Sequence, residues 1–341
     1  MEWTQPGVTQ VAPGVHRMPL PLPMDGLRAV NVYVIETESG LTLIDGGWAI
    51  PESRALFDEG LASLGYAASD VRRFLVTHMH RDHYTQAVAI RREAGSQVAL
   101  GWEEHHTLDL MHGELTQDPA IDRLAACGAA GLAKAYRALM PAERPSMDDY
   151  GYPDEWLKAD APIALPGRTL NAVATPGHTR GHFVFADLEA QLLFAGDHVL
   201  PTITPSIGFE PAFAQQPLGD FLTSLAKVRA MPDLMLLPAH GPVTGSSHAR
   251  VDELIEHHRV RLDQCLAAVG AGSRTAWEVA AEVPWTSRGR HRDELGPFDV
   301  VLAVFETLAH LELLGARGDV IRSESDGVIE FVPAHHQPVT Q

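Results

Sequence analysis

Four stretches of the chain place histidine or aspartate directly after an apolar, strand-like run. The densest is THMHRDHY, residues 77–84, which follows the run FLV. The other three are TPGHT after NAVA, AGD after QLLF, and PAHG after LMLL. Imidazoles and carboxylates are the groups with which proteins hold borderline divalent cations such as zinc. The candidate ligands of such a site are His78, His80, Asp82, His83, His178, Asp197 and His240.

The spacing of these residues predicts two ions. Alternate residues of an extended chain point the same way, so His78 and His80 can hold one ion together. A turn would then direct Asp82 and His83 towards the second ion. Two ions about 3.5–4 Å apart can share a bridging carboxylate, a position that we assign to Asp197. A histidine-rich surface turn is the alternative, but it does not explain why all four stretches occupy the same strand-end position.

These side chains can meet only if several strands end at one edge of a layered α/β fold. Strand and helix patterns do alternate along the first hundred residues, with a hairpin predicted across Glu38–Ser39–Gly40. Helical spacing with interrupting Gly and Pro predicts a helical insertion over residues 103–156, to which we assign the role of a lid. Strands return after this insertion and carry the remaining three stretches.

The chain is predicted to contain two domains. A long helix ends near Val269, and the glycine-rich GAGS at residues 270–273 then indicates a linker. We therefore assign residues 1–270 to a catalytic domain and residues 271–341 to an accessory one. The second part has two helical patterns and a hairpin signal at Ser325–Asp326–Gly327, an order typical of a winged-helix-like module.

Composition limits the location and the partners of the protein. The chain has 341 residues, a formal net charge of −18 and only two cysteines, Cys127 and Cys265. With no signal-peptide pattern and no long apolar run, these cysteines favour a reducing cytoplasm and no membrane span. The acidic charge opposes nucleic-acid binding, which depends on Lys and Arg. The apolar helix after residue 296 is compatible with packing on the body or with homodimerisation.

The motifs HxHxDH, TPGHT, AGD and PAHG, preceded by LIDGG at residues 43–47, resemble the metallo-β-lactamase superfamily. The likeness spans residues 14–260 and extends to the branch with a winged-helix appendage (β-lactamase-like protein 2-like and glyoxalase II-like). It implies an αββα sandwich and two divalent metal ions. Zinc is the first expectation for these ions, and iron or manganese is the alternative. By this resemblance the first metal is held by His78, His80 and His178, and the second by Asp82, His83 and His240, with Asp197 between them. Asp45 would not bind a metal ion itself but would hold one of the metal ligands in place.

The resemblance implies a hydrolase in which a hydroxide that bridges the metals attacks a small acyl compound: a thioester, a lactone or an ester. Asp82 would orient the hydroxide and pass a proton to the leaving group. The alternatives are an endoribonuclease or phosphodiesterase of the same fold and a winged-helix regulator. Many family members have small residues after HxHxDH, whereas Tyr84 follows it here. We predict that Tyr84 either contacts the substrate in its pocket or packs at the start of the next helix. The remaining histidines, among them His257, His258 and His310, are expected not to be ligands.

Overall fold

The computed structural model describes residues 2–23, 26–113, 118–139, 147–285 and 289–334. The chain forms two compact units, neither of which is contiguous in sequence. The first unit contains Met1–His112, Pro145–Pro205 and Thr223–Asp252, and the second contains Gly113–Arg144, Ser206–Leu222 and Glu253–Gln341. These limits differ from the boundary predicted at residue 270. The assignment of a catalytic and an accessory role to residues 1–270 and 271–341 stays a prediction.

A seven-stranded sheet of the first unit follows the order of the sequence. Its first four strands pair antiparallel and its last four pair parallel. Thr37 lies opposite Gly40, which confirms the predicted hairpin. The strands are β1 (Thr9–Ala12), β2 (Val15–Pro21), β3 (Ala29–Thr37), β4 (Gly40–Ile44), β5 (Val71–Leu75), β6 (Gln97–Gly101) and β7 (Glu155–Leu157).

A five-stranded sheet of the same unit has the order β12-β11-β10-β9-β8. Strand β10 runs antiparallel to both β9 and β11, whereas β12 runs parallel to β11. Strands β9, β11 and β12 therefore all end at the same edge of the sheet. The strands are β8 (Ala161–Leu165), β9 (Arg168–Ala174), β10 (Phe183–Asp187), β11 (Leu192–Gly196) and β12 (Met235–Pro238).

Two hydrophobic layers hold the first unit together. One lies between the sheets and includes Tyr33, Leu75, Phe185 and Phe194. The other covers the opposite face of the seven-stranded sheet with the helices α1 (Pro51–Ser63), α2 (Arg81–Ala94) and α3 (His105–His112). Stacked sheets covered by helices confirm the predicted α/β sandwich.

The second unit contains helices and a hairpin. Helix α9 is mostly buried and contacts α4, α5 and α8, so its apolar residues pack within this unit. Ser325 lies opposite Val328, which confirms the terminal hairpin, while the winged-helix identification stays a prediction. The elements are α4 (Pro119–Ala126), α5 (Ala130–Leu139), α8 (Ala276–Glu282), α9 (Pro297–Arg317), β13 (Val320–Ser325) and β14 (Val328–Pro333). Helices α6 (Pro217–Arg229) and α7 (Ser247–Ala271) contribute residues to both units.

The predicted insertion over residues 103–156 is divided between the two units. Helix α3 belongs to the first unit, α4 and α5 belong to the second, and Glu155 already begins β7. Residues 114–117 and 140–146 lie outside the described residues. The role of a lid therefore stays a prediction. Among the described residues, no helix combines the length and the hydropathy needed to cross a membrane.

Candidate metal centre

All seven candidate ligands lie in the first unit, each beyond the end of a strand. His78 and His80 follow β5, and His178, Asp197 and His240 follow β9, β11 and β12. Helix α2 begins at Arg81. What the sequence suggested to be a turn is thus the first turn of α2, and it carries Asp82 and His83. His80 is the N-cap residue of this helix.

The first group of ligand atoms consists of three imidazole nitrogens and one carboxylate oxygen. His80 Nδ1 lies 2.9 Å from His78 Nε2 and 3.1 Å from His178 Nε2. His178 Nε2 lies 3.5 Å from Asp197 Oδ2. Zinc–nitrogen bonds of about 2.0–2.1 Å in a tetrahedron place ligand atoms roughly 3.3–3.5 Å apart, so this group is close to the size that one ion requires.

The second group has two nitrogens and two oxygens. His240 Nε2 lies 3.4 Å from both Asp82 Oδ2 and Asp197 Oδ1. His83 Nε2 lies 3.6 Å from the same oxygen of Asp82 and 3.7 Å from the same oxygen of Asp197. The first group is thus approached by Oδ2 of Asp197 and the second by Oδ1. Asp197 occupies the position between the groups that the sequence predicted for it.

Asp197 is placed by its backbone as well as by the strand before it. Its main-chain N–H donates to His182 Nε2 at 3.2 Å, and His182 Nδ1 lies 2.9 Å from the Thr175 hydroxyl. Gly196 has a φ of +50°, and a Cβ there would lie 2.7 Å from both His182 Nε2 and Thr77 Cβ. Only glycine fits this turn, which directs the Asp197 side chain into the site.

In three of the histidines, hydrogen bonds at Nδ1 determine which ring nitrogen carries the lone pair. His83 Nδ1 lies 2.8 Å from Asp45 Oδ2, and His240 Nδ1 lies 2.8 Å from the Ala29 carbonyl. Carboxylate and carbonyl oxygens only accept, so each Nδ1 carries the proton and donates it. The Thr77 hydroxyl donates to Asp45 and can therefore accept from His78 Nδ1 at 3.1 Å. In all three rings Nε2 is left with a lone pair directed into the site.

The donor set fits divalent cations. His83 Nε2, His240 Nε2 and Asp197 Oδ1 are buried and have no hydrogen-bond partner among the described residues. Burying such polar atoms without partners is costly, and a cation would supply the missing interaction for all three at once. The two groups, His78–His80–His178–Asp197 and Asp82–His83–His240, each have ligand atoms within 4.8 Å of one another.

The protonation of the histidines also differs between the two groups of ligand atoms. Burial and the neighbouring His178 lower the pKa of His80 to about 3, so its imidazole is neutral at pH 7. Burial also acts to lower the pKa of His83, but the carboxylates of Asp82, Asp45 and Asp197 raise it to about 10. In the protein without metal, these carboxylates thus favour a second proton on His83, at Nε2, and a bound cation would displace this proton and use the lone pair.

Several residues that contact the site were not found from the sequence. Thr77 and His182 act through the hydrogen bonds described above. Glu104 is fully buried, and its carboxylate accepts from the hydroxyl of Thr179, the neighbour of His178. Tyr84, for which a pocket role was one of two predictions, has no exposed surface and donates to the Gly151 carbonyl. It packs in the hydrophobic core, and a role in a substrate pocket stays a prediction.

Asp45→Asn should weaken metal binding without distorting the backbone. Asp45 has a φ of +62°, a conformation that asparagine tolerates. The amide cannot accept from Thr77 and His83 as the carboxylate does, so we expect metal affinity to fall about 10–100-fold. Chelator competition measures this affinity. Asp326→Asn, at a φ of +50° in the hairpin of the second unit, is the matched control and should bind metal as the wild type does. Equal affinity in both variants would remove the supporting role of Asp45.

Glu104→Gln should change how stability depends on pH. Burial raises the pKa of Glu104 from 4.5 to about 7. The folded state therefore holds this proton more tightly than the unfolded state, so the stability that the group contributes is present below pH 4.5 and is lost as pH rises to 7. Glutamine does not ionise, so at about pH 8 the free energy of unfolding of the variant should exceed that of wild type by about 1–3 kcal/mol. Urea unfolding at about pH 5 and about pH 8 tests this, and an equal difference at both pH values would contradict it.

Comparisons with known proteins agree with this geometry. The family model described as the metallo-beta-lactamase superfamily matches residues 25–250. The "Beta-lactamase-like protein 2 homolog" of Caenorhabditis elegans is 33% identical over 268 residues, 77% of this chain and 74% of that protein. An "Atrochrysone carboxyl ACP thioesterase" of Aspergillus novofumigatus is 25% identical over 270 residues, 79% of this chain and 67% of that protein.

Solved structures share the fold over nearly the whole chain. The crystal structure of a metallo-beta-lactamase family protein from Thermus thermophilus matches with a TM-score of 0.78 and 26% identity. The match covers 95% of this chain and 100% of that protein. The family match, the fold and the two groups of histidines and aspartates lead to one conclusion: the chain is a hydrolase of the metallo-beta-lactamase superfamily with two groups of candidate ligands for divalent metal.

Proposed function

We propose that the protein hydrolyses a small acyl compound, a thioester, a lactone or an ester, at a site that holds two zinc ions. The observation that carries the proposal is the position of Asp197, whose two oxygens approach two separate groups of ligand atoms. A carboxylate in that position can hold two ions as a pair, and paired ions suit hydrolysis. His78, His80 and His178 would hold one ion, and Asp82, His83 and His240 the other.

The bound ions would supply an activated nucleophile and polarise the carbonyl, because they lower the pKa of water to about 7 and act as Lewis acids. Asp82 is the residue placed to assist. Burial acts to raise the pKa of Asp82, but His83 and His240 hold it below its ordinary range, so the carboxylate is ionised at neutral pH. Its carboxylate can accept a hydrogen bond from the attacking water and pass the proton to the leaving group.

The substrate class rests on two further observations. A relative that is 25% identical over 79% of this chain is named as a thioesterase, which acts on an acyl group. The formal charge of −18 opposes a polyanionic substrate, because phosphates are bound chiefly through Lys and Arg. An acyl substrate fits both observations better than RNA does.

The test is a comparison of substrates on the zinc-loaded full-length protein. Acyl thioesters, lactones and esters of increasing chain length should be hydrolysed, and single-stranded RNA should remain intact. Asp197→Ala, assayed in parallel, should act on none of them and so excludes contaminating enzymes. Cleavage of RNA with no turnover of any acyl compound would overturn the proposal in favour of the endoribonuclease.

A further inference from the structure

A second set of potential ligands lies in the second unit, where α7 and α9 contribute histidine and glutamate to one place. His257 and His258 belong to α7, and Glu306 belongs to α9. One ligand atom from each of these residues lies within 4.8 Å of the others. His258 has no exposed surface, and Glu306 is only 9% exposed. None of the three belongs to the site described above.

Hydrogen bonds behind His258 determine which of its nitrogens can bind a ligand. His310 Nδ1 lies 2.7 Å from the Glu306 main-chain carbonyl, which only accepts, so this nitrogen carries the proton. His310 Nε2 then has a lone pair and accepts from His258 Nδ1 at 3.1 Å. His258 Nε2 is therefore the unprotonated nitrogen of its ring. It is buried and has no hydrogen-bond partner in the described part of the chain.

This arrangement is the one that metal-binding histidines adopt. Such a histidine donates its outer N–H to an acceptor, which orients the ring and directs the lone pair of the other nitrogen towards the ion. His258 does so through His310, and His310 is in turn fixed by the backbone of α9. Glu306 and His310 stand four residues apart on α9, so the same helix face supplies a carboxylate and the supporting imidazole.

The charges of the cluster are compatible with a cation. Burial and the neighbouring His310 and His257 lower the pKa of His258 well below 6.5, so its ring is neutral. Burial raises the pKa of Glu306 to about 7. The Arg261 guanidinium nearby donates to the Pro284 carbonyl and lies over the Trp285 ring, 4.5 Å from its centroid. A divalent ion would supply the positive charge that a buried Glu306 carboxylate requires.

We propose that His257, His258 and Glu306 bind a zinc ion that links α7 to α9. Two imidazoles and one carboxylate are a ligand set that zinc accepts, with a fourth position left for water. The site is independent of the reaction, because its residues belong to the second unit and the candidate metal centre belongs to the first. The proposal gives a ligand role to His257 and His258, which the sequence predicted not to be ligands.

Zinc content of the full-length protein tests the site. Wild type, Glu306→Gln, His257→Gln and Glu256→Gln are saturated with zinc, freed of loosely bound metal and analysed by mass spectrometry. We expect Glu306→Gln and His257→Gln each to hold one zinc per chain fewer than wild type. Glu256→Gln is the matched control, because Glu256 is exposed on α7 and pairs with Arg259, and it should retain the wild-type content.

Circular dichroism of each variant verifies the fold, and thermal unfolding with and without added zinc provides a second readout. Zinc should raise the unfolding midpoint of wild type more than that of Glu306→Gln. Equal zinc content in all four proteins would overturn the proposal. So would a Glu306→Gln variant that is more stable than wild type with unchanged zinc, because Glu306 and His258 would then share a proton rather than an ion. Acyl hydrolysis by these variants should stay at the wild-type level, which separates this site from the reacting one.

Discussion

Asp197→Ala should remove both the metal pair and the activity. Within the described part of the chain, Asp197 is the one residue whose carboxylate approaches both groups of ligand atoms, so its loss takes a ligand from each ion. Polarisation of a carbonyl by a metal contributes several kcal/mol, and about 1.4 kcal/mol corresponds to a factor of ten in rate. We therefore expect kcat/KM to fall about 10³-fold or more. Zinc content should fall with it, as measured by mass spectrometry on the purified protein.

The matched control for Asp197→Ala is Asp252→Ala. Asp252 is exposed on α7 and pairs at the surface with Arg229, so its removal should leave zinc content and activity unchanged. A fully metallated, active Asp197→Ala protein would show that the carboxylate does not bridge two ions. Loss of folded structure, monitored by circular dichroism, is separated from loss of metal by adding zinc back to the variant.

Asp82→Asn should lower kcat with a smaller loss of metal. The first group of ligand atoms, His78, His80, His178 and Asp197, stays intact in this variant. Proton transfer by a positioned side chain contributes about 10²–10⁴-fold to the rate, so we expect kcat to fall within that range. Because His83 and His240 hold the pKa of Asp82 below its ordinary value, the wild-type carboxylate is ionised from about pH 5 upwards. The ratio of wild-type kcat to variant kcat should therefore be the same from about pH 5 to about pH 9.

Asp299→Asn is the control for a change of charge at a helix start. Asp82 stands in the first turn of α2 and Asp299 in the first turn of α9, where acidic side chains interact favourably with the helix dipole. Both variants lose this contribution, but only Asp82→Asn should lose rate. If kcat of Asp82→Asn stays within a factor of two of wild type, Asp82 takes no part in orienting water or moving protons.

The seven candidate ligands could be identified from the sequence because each follows an apolar strand. Strand patterns are local, and strands that end at one edge of a layered fold bring their following residues together. The spacing separates His78 and His80 from Asp82 and His83, whereas the assignment of His178 and His240 to one ion each came from the resemblance to the metallo-β-lactamase superfamily. The first hairpin and the terminal hairpin were likewise predictable, since turn residues are properties of short segments, whereas the two stacked sheets were implied by the family resemblance.

Apart from Asp45, which the family resemblance implied, the residues that support the ligands could not be predicted, because their roles depend on contacts between distant segments. Asn31 Nδ2 donates to the carbonyls of Pro238 and Gly241, on either side of His240 and more than two hundred residues away. Glu104 reaches Thr179 across a separation of 75 residues. Asparagine and glutamate occur commonly on surfaces, so a single sequence offers no signal that sets these two apart.

The beginning of α2 is a local feature that was nevertheless misjudged. The sequence predicted a turn that directs Asp82 and His83 towards the second ion, and neither histidine nor aspartate is a strong helix former. In the structure the helix starts at Arg81, and the contacts of His83 Nδ1 with Asp45 and of Gln86 with the Gly46 carbonyl hold its first turns. Tertiary hydrogen bonds thus outweigh a modest unfavourable propensity.

An anomalous difference map at the zinc edge, from crystals of the zinc-loaded protein, would show directly whether Asp197 lies between two ions. We expect two peaks about 3.5–4 Å apart. One should lie among His78, His80 and His178, and the other among Asp82, His83 and His240. The two oxygens of Asp197 should point to different peaks. A single peak at this site, or two peaks with Asp197 directed away from either, would contradict the dinuclear centre.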